Sequence, residues 1–216
     1  MGDVSKSSGS SGPEQLQARL RAAEVALAEE RERVAARRDE VPPGPDLPDY
    51  VLRGVPGGEN VHLSELFDGH NALVVYHLTG LADECCPSCS MWLDALNDNG
   101  KQVMDNAAFV VVATAGPDEL ALWALRRGFH QLRILSAIGS TFDRDLGFET
   151  PDGASELGLS VLVRQADQQV RLFYAVKAIG EDAGWHHTDV FSPVWQALDL
   201  LPHRGEAAVR ARPQAP

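Results

Sequence analysis

The sequence predicts an α/β fold: a mixed, mostly parallel sheet with helices on both faces, an antiparallel edge and an additional N-terminal helix. Three observations predict it. Two continuous apolar runs, "ALVVYH" (72–77) and "AAFVVVAT" (107–114), are of the kind buried on both sides of a sheet. Helix-forming stretches follow each of them, so strands and helices alternate. Two strand-like runs, "GLSVLVR" and "QVRLFYAV", are separated only by residues 165–168, which marks an antiparallel hairpin.

The elements follow in order. Residues 1–13 are rich in Ser and Gly and are expected to be a disordered tail. Residues 14–41 form a helical segment in which Leu16, Leu20, Ala23, Leu27 and Val34 recur on one side. Such a stripe suits a helix lying on its own domain or one half of a coiled coil, so a homodimer through this helix is one expectation. "PPGPDLP" (42–48) breaks the helix and reads as a stiff connector. Residues 49–206 carry the α/β domain, and 207–216 a second tail. In the domain, "DYVLRG" and "ENVHLSELF" read as a strand pair. After the 72–77 strand, a cysteine-bearing loop leads to a helix starting near Pro87. The 107–114 strand precedes a helix entered at Pro117, Asp118 and Glu119 and ending near Arg127, with proline early and carboxylates in the first turn. "QLRILSA" (131–137) is a third strand, and "STFDRDLGFETPDGAS" reads as a loop. Beyond the hairpin, Ser192 and Pro193 open a last helix that ends before Pro202.

Composition narrows the function classes. The chain has 216 residues, 44% of them hydrophobic, enough for a real core. Its net charge of −12 argues against nucleic acid or an anionic membrane as partner. No run reaches the roughly 18–20 apolar residues of a membrane span, and the first residues have no apolar stretch of a secretory signal. The expected location is the cytoplasm.

All three cysteines, Cys85, Cys86 and Cys89, fall within five positions in "ADECCPSCSMWLDAL". An odd, clustered set in a protein of this kind is not a disulfide scaffold; catalysis, redox sensing and metal binding stay open. Cys86-Pro87-Ser88-Cys89 sits at a strand-to-helix junction. A sulfur at a helix N-terminus faces unpaired N–H groups and the positive end of the dipole, which favour the attacking thiolate. Cys89, one turn on, is placed to resolve a mixed disulfide. Pro87 costs no helical hydrogen bond in the first turn. Cys86 is therefore the candidate nucleophile and Cys89 the resolving thiol, while Asp83 and Glu84 oppose thiolate formation. Cys85 reads as a spectator or a second resolver. His77, ending the strand before the loop, is a candidate for proton transfer or, more simply, a hydrogen-bonded strand-end histidine. Trp92 and Leu93 read as core contacts of the helix. A zinc site needs about four ligands, and the single Cys-x-x-Cys has no matching pair. His186 and His187, next to Trp185, point to opposite faces if extended. Neither a metal nor a cofactor is expected.

The ordered blocks "LPDYVLRG…LSELFDGHNALVVYHLTG", "CPSCSMWLDAL", "AAFVVVATAGPDELALWALRRGF", "ILSAIGSTFDRDLGF" and "ALDLLPHRG" resemble the thioredoxin-like family catalogued as domain of unknown function 899. The likeness covers about residues 15–206. It implies a thioredoxin-like fold and a dithiol–disulfide oxidoreductase, with the family's Cys-Pro-x-Cys falling on Cys86, Pro87 and Cys89. Its partners would then be a disulfide or thiol substrate and an external reductant. "ELGLSVLV" lacks the proline that thioredoxins place before the hairpin strand. The alternative is a non-catalytic thioredoxin-fold binding protein whose cysteines are structural or hold zinc. A peroxiredoxin-like peroxide reductase ranks lower, because its Thr-x-x-Cys is not matched: Thr79 lies seven residues before Cys86.

Overall fold

The structure, a computed structural model, describes residues 11–42, 44–79 and 87–177. The chain divides into two units, Met1–Pro42 and Pro43–Pro216. The described residues of the first form one long helix, α1 (Ser11–Asp39), with Glu14 in its first turn and Arg37 and Arg38 in its last, each sign where the helix dipole favours it. It begins three residues before the expected start, with Pro13 in its first turn, where the missing N–H costs nothing. Val25 falls about 180° from Leu16 around the axis, so the apolar stripe is less one-sided than the spacing of its members suggests.

The second unit is built on an eight-stranded sheet in the order β1-β8-β7-β4-β5-β6-β2-β3. The strands are β1 (Asp46–Leu47), β2 (Val51–Gly54), β3 (Asn60–His62), β4 (Ala72–Leu78), β5 (Ala108–Ala113), β6 (Arg133–Ser136), β7 (Gly158–Arg164) and β8 (Val170–Lys177). The helices are α2 (Pro87–Asn99), α3 (Lys101–Met104), α4 (Pro117–Arg127) and α5 (Phe142–Asp145), with a 3-10 turn at Leu63–Phe67. Strands β4, β5 and β6 run parallel, and the remaining pairings are antiparallel. The sheet is mixed and α/β, as the pattern predicted, but it is not mostly parallel: only the β4–β5 and β5–β6 pairings are, because the hairpin β7–β8 joins beside β4 and β2 joins beside β6, both antiparallel. Among the described residues, no helix is long and apolar enough to cross a membrane.

Side-chain alternation explains how two layers form. All six residues of β5 are buried, because both faces of the strand are covered. On one face Leu73, Val75, Val110 and Val112 pack with Leu63, Leu66 and Phe67 of the 3-10 turn, with Phe142 of α5 and with Leu146 just after it. On the other, Tyr76, Leu78, Phe109 and Val111 pack with Leu93 of α2 and with Leu120, Trp123 and Ala124 of α4. Helix α4 starts at Pro117 and stops at Gly128, whose φ of 72° is open to glycine at low cost.

Three expectations change. "LSELF" is not strand but the 3-10 turn, whose Glu65 carboxylate reaches back to accept the His62 N–H at 2.8 Å. Part of the supposed connector joins the sheet: Asp46 and Leu47 pair with Arg171 and Val170 at the edge, where flanking prolines are tolerated. The loop after residue 140 contains α5, whose consequences appear below. The expected tail at 1–10, the last helix from Ser192 and the tail from 207 lie outside the described residues.

Candidate functional site

Strands β4 and β5 end side by side, with Leu78 opposite Ala113. Each feeds a helix packed on the same face, β4 through the cysteine-bearing connection to α2 and β5 through residues 114–116 to α4. Two helix N-termini therefore gather at the C-terminal end of the parallel strands, the end where α/β folds build their sites.

Helix α2 begins at Pro87, so Cys89 stands third in it, within the first turn, and Cys86 is the residue directly before the first helical position. Cys85 and Cys86, like Trp185, His186 and His187, lie outside the described residues. Further along α2, Trp92 stacks on Tyr76 with centroids 4.9 Å apart, and Leu93 is fully buried, as expected of core contacts. Asn97 anchors the far half. Its Oδ1 accepts the His130 and Gln131 N–H groups at 3.0 and 3.1 Å, tying α2 to the corner between α4 and β6.

His77 is buried, 1% exposed. It shares the parity of Leu73 and Val75, so its ring lies on the face opposite α2. Nδ1 is 2.8 Å from Asp143 Oδ1 on α5, and Nε2 is 2.8 Å from Ser160 Oγ on β7. Thr114 Oγ1, at the exposed end of β5, donates to Asp143 Oδ2 at 3.0 Å. The Phe148 ring lies flat on the imidazole, 3.7 Å between centroids and 8° between planes. It fits there because residue 158 is glycine: a Cβ at Gly158 would stand 2.5 Å from Phe148 Cε1. Tyr50 steadies α5 from below through a 2.9 Å bond to Asp145 and an edge contact with Phe142. Burial, with Asp145 as acceptor, pushes the Tyr50 hydroxyl up to about 12.

Burial also pushes the His77 pKa down from its ordinary 6.5, against the opposing pull of Asp143. In the neutral ring, Nδ1–H donates to the carboxylate and Nε2 accepts the Ser160 hydroxyl. Both nitrogens are thereby engaged. Of the two sequence expectations for His77, the geometry is that of the hydrogen-bonded strand-end histidine and not of a ring offered to a reacting group.

The linkage has a definite sign. Above pH 6.5 both folded and unfolded chains hold His77 neutral; below it the unfolded chain takes up the proton first. Stability is thus expected to fall as pH drops through 6.5 and below. Urea titrations of the wild type and His77→Gln at several pH values check this: the wild type should lose more stability than the variant between pH 7.5 and about 5.

Asp143, Thr114, Ser160 and Asn97 were not legible as site or anchor residues. Asp143 lies 66 residues from His77 and Ser160 lies 83 away, and no local spacing joins them.

A family model with the description "Bacterial protein of unknown function (DUF899)" matches residues 11–213. No curated protein matches the sequence. Among solved structures, peroxidoxin BcpB of Mycobacterium tuberculosis is similar with a TM-score of 0.51 and 19% identity, covering 72% of this chain and 96% of that one. The bacterioferritin comigratory protein of Xanthomonas campestris gives 0.51 and 16%, covering 72% and 98%. AhpC of Mycobacterium tuberculosis gives 0.50 and 15%, covering 80% and 99%. The fold is thioredoxin-like.

Proposed function

Because the chain belongs to the family described as bacterial protein of unknown function (DUF899), we propose that it is a thiol–disulfide oxidoreductase, with Cys86 as nucleophile and Cys89 as resolving thiol. The observation that carries this reading is the start of α2 at Pro87. With that start Cys89 counts into the first turn and Cys86 directly precedes it in sequence, where a helix dipole and unpaired N–H groups would favour a thiolate. The Cys86 thiolate attacks one sulfur of a disulfide, forming a mixed disulfide and expelling the other sulfur as a thiolate. The Cys89 thiolate then attacks Cys86 Sγ, releasing the second substrate thiol and leaving a Cys86–Cys89 disulfide. The substrate gains two electrons and the dithiol loses two, so an external thiol reductant must close the cycle. Cys85 takes no part in this scheme.

A second reading has one observation in its favour: the similar solved structures include peroxidoxin BcpB and a bacterioferritin comigratory protein with alkyl peroxide reduction activity. The Cys86 thiolate would attack a peroxide oxygen, become a sulfenic acid and release an alcohol or water; Cys89 would displace the second oxygen as water. Titration of free thiols in the full chain tests both. Mild disulfide oxidant should remove two thiols reversibly in the wild type and none in that manner in Cys86→Ser. Three titratable thiols after oxidation would end the proposal. Faster loss with hydrogen peroxide than with a disulfide of equal concentration would favour the second reading.

A further inference from the structure

The Asp143 carboxylate spans the two strand ends from which the site helices depart. Oδ1 holds His77, one residue before the end of β4, and Oδ2 holds Thr114, the residue after β5. Ser160 on β7 closes the other side of the ring. Four polar side chains from four neighbouring segments are thus joined in one chain that is buried at His77 and exposed at Thr114. A buried ionisable pair is a poor source of net stability. It is a good source of fixed geometry, because each hydrogen bond dictates distance and direction.

What it fixes is the point of departure of the cysteine-bearing connection, which begins at Thr79, two residues after His77. Stabilisation of a thiolate by a helix terminus falls off within one turn, and a displacement of about 1 Å at a reacting group is costly. We propose that Asp143, His77 and Thr114 are positioning residues that set the reactivity of the dithiol by locking the ends of β4 and β5. The proposal rests on the redox reading above. The groups facing His77 are Asp143 from α5, Ser160 from β7 and the rings of Phe142 and Phe148. The neighbouring charges are otherwise engaged: Asp145 with Tyr50 and Thr141, Arg144 with Glu149, and Lys177 with Glu156.

The test is the pH profile of iodoacetamide alkylation of Cys86 in the reduced full-length protein, read by mass spectrometry beside thermal stability. Asp143→Asn should move the profile to higher pH and slow alkylation at pH 7 about tenfold, the effect of one unit in a thiol's pKa. Thr114→Val, which spares the His77 bond, should move it the same way by less, and it decides the matter if Asp143→Asn does not fold. Lower stability with an unmoved midpoint in Asp143→Asn and Thr114→Val would overturn the positioning role. Absence of a Cys86–Cys89 disulfide in the oxidised wild type would instead overturn the redox reading, whatever the variants do to alkylation.

Discussion

Cys89→Ser is expected to trap the protein on its substrate. With Cys86 intact, attack on a disulfide still forms the mixed disulfide, but no second thiol stands one turn away to release the product. Incubation with a small aromatic disulfide should therefore give a stable adduct of one substrate half per chain, visible by intact mass. The wild type should turn over in the presence of reductant and show little adduct. Multiple-turnover reduction by the variant should drop by two orders of magnitude or more, roughly the effect of removing an intramolecular partner of high effective concentration. Cys85→Ser should behave as the wild type. An adduct on Cys85, or equal turnover in Cys89→Ser, would refute the assignment of roles.

Phe148→Ala should bring the largest loss of stability among conservative probes of the site. Phe148 is fully buried, covers one face of His77 and closes against Gly158. Deleting a buried ring costs about 3–5 kcal/mol, which at this size is a fall of roughly 10 °C in Tm. A second signature separates this from an ordinary cavity. Water admitted beside His77 would relieve the desolvation that lowers its pKa, so the loss of stability below pH 6.5 should shrink in the variant. Denaturation at pH 7.5 and pH 5.5 reads both effects. A variant as acid-sensitive as the wild type would show that the ring is not what dries the imidazole.

Much of the fold was legible because the sheet interior leaves a strong local signature. The apolar runs 72–77 and 107–114 became β4 and β5, the Pro117 entry became the first residue of α4, and Pro87 became the first residue of α2. Short elements were not legible. Asp46 and Leu47 look like linker until β8 arrives beside them, and α5 is four residues without a periodic stripe. The candidate site divides in the same way. Cys86, Pro87 and Cys89 announce themselves by spacing, whereas the partners of His77 come from strands and helices far along the chain. Only the folded sheet brings Asp143 and Ser160 to it.

Asn97 gives α2 a fulcrum. Eight residues separate it from Cys89, a length of about 12 Å along the helix. Tilting the axis by about 5° around that point would carry the first turn through roughly 1 Å. The corner at His130 and Gln131, more than thirty residues further along the chain, therefore helps to aim the leading turn of α2.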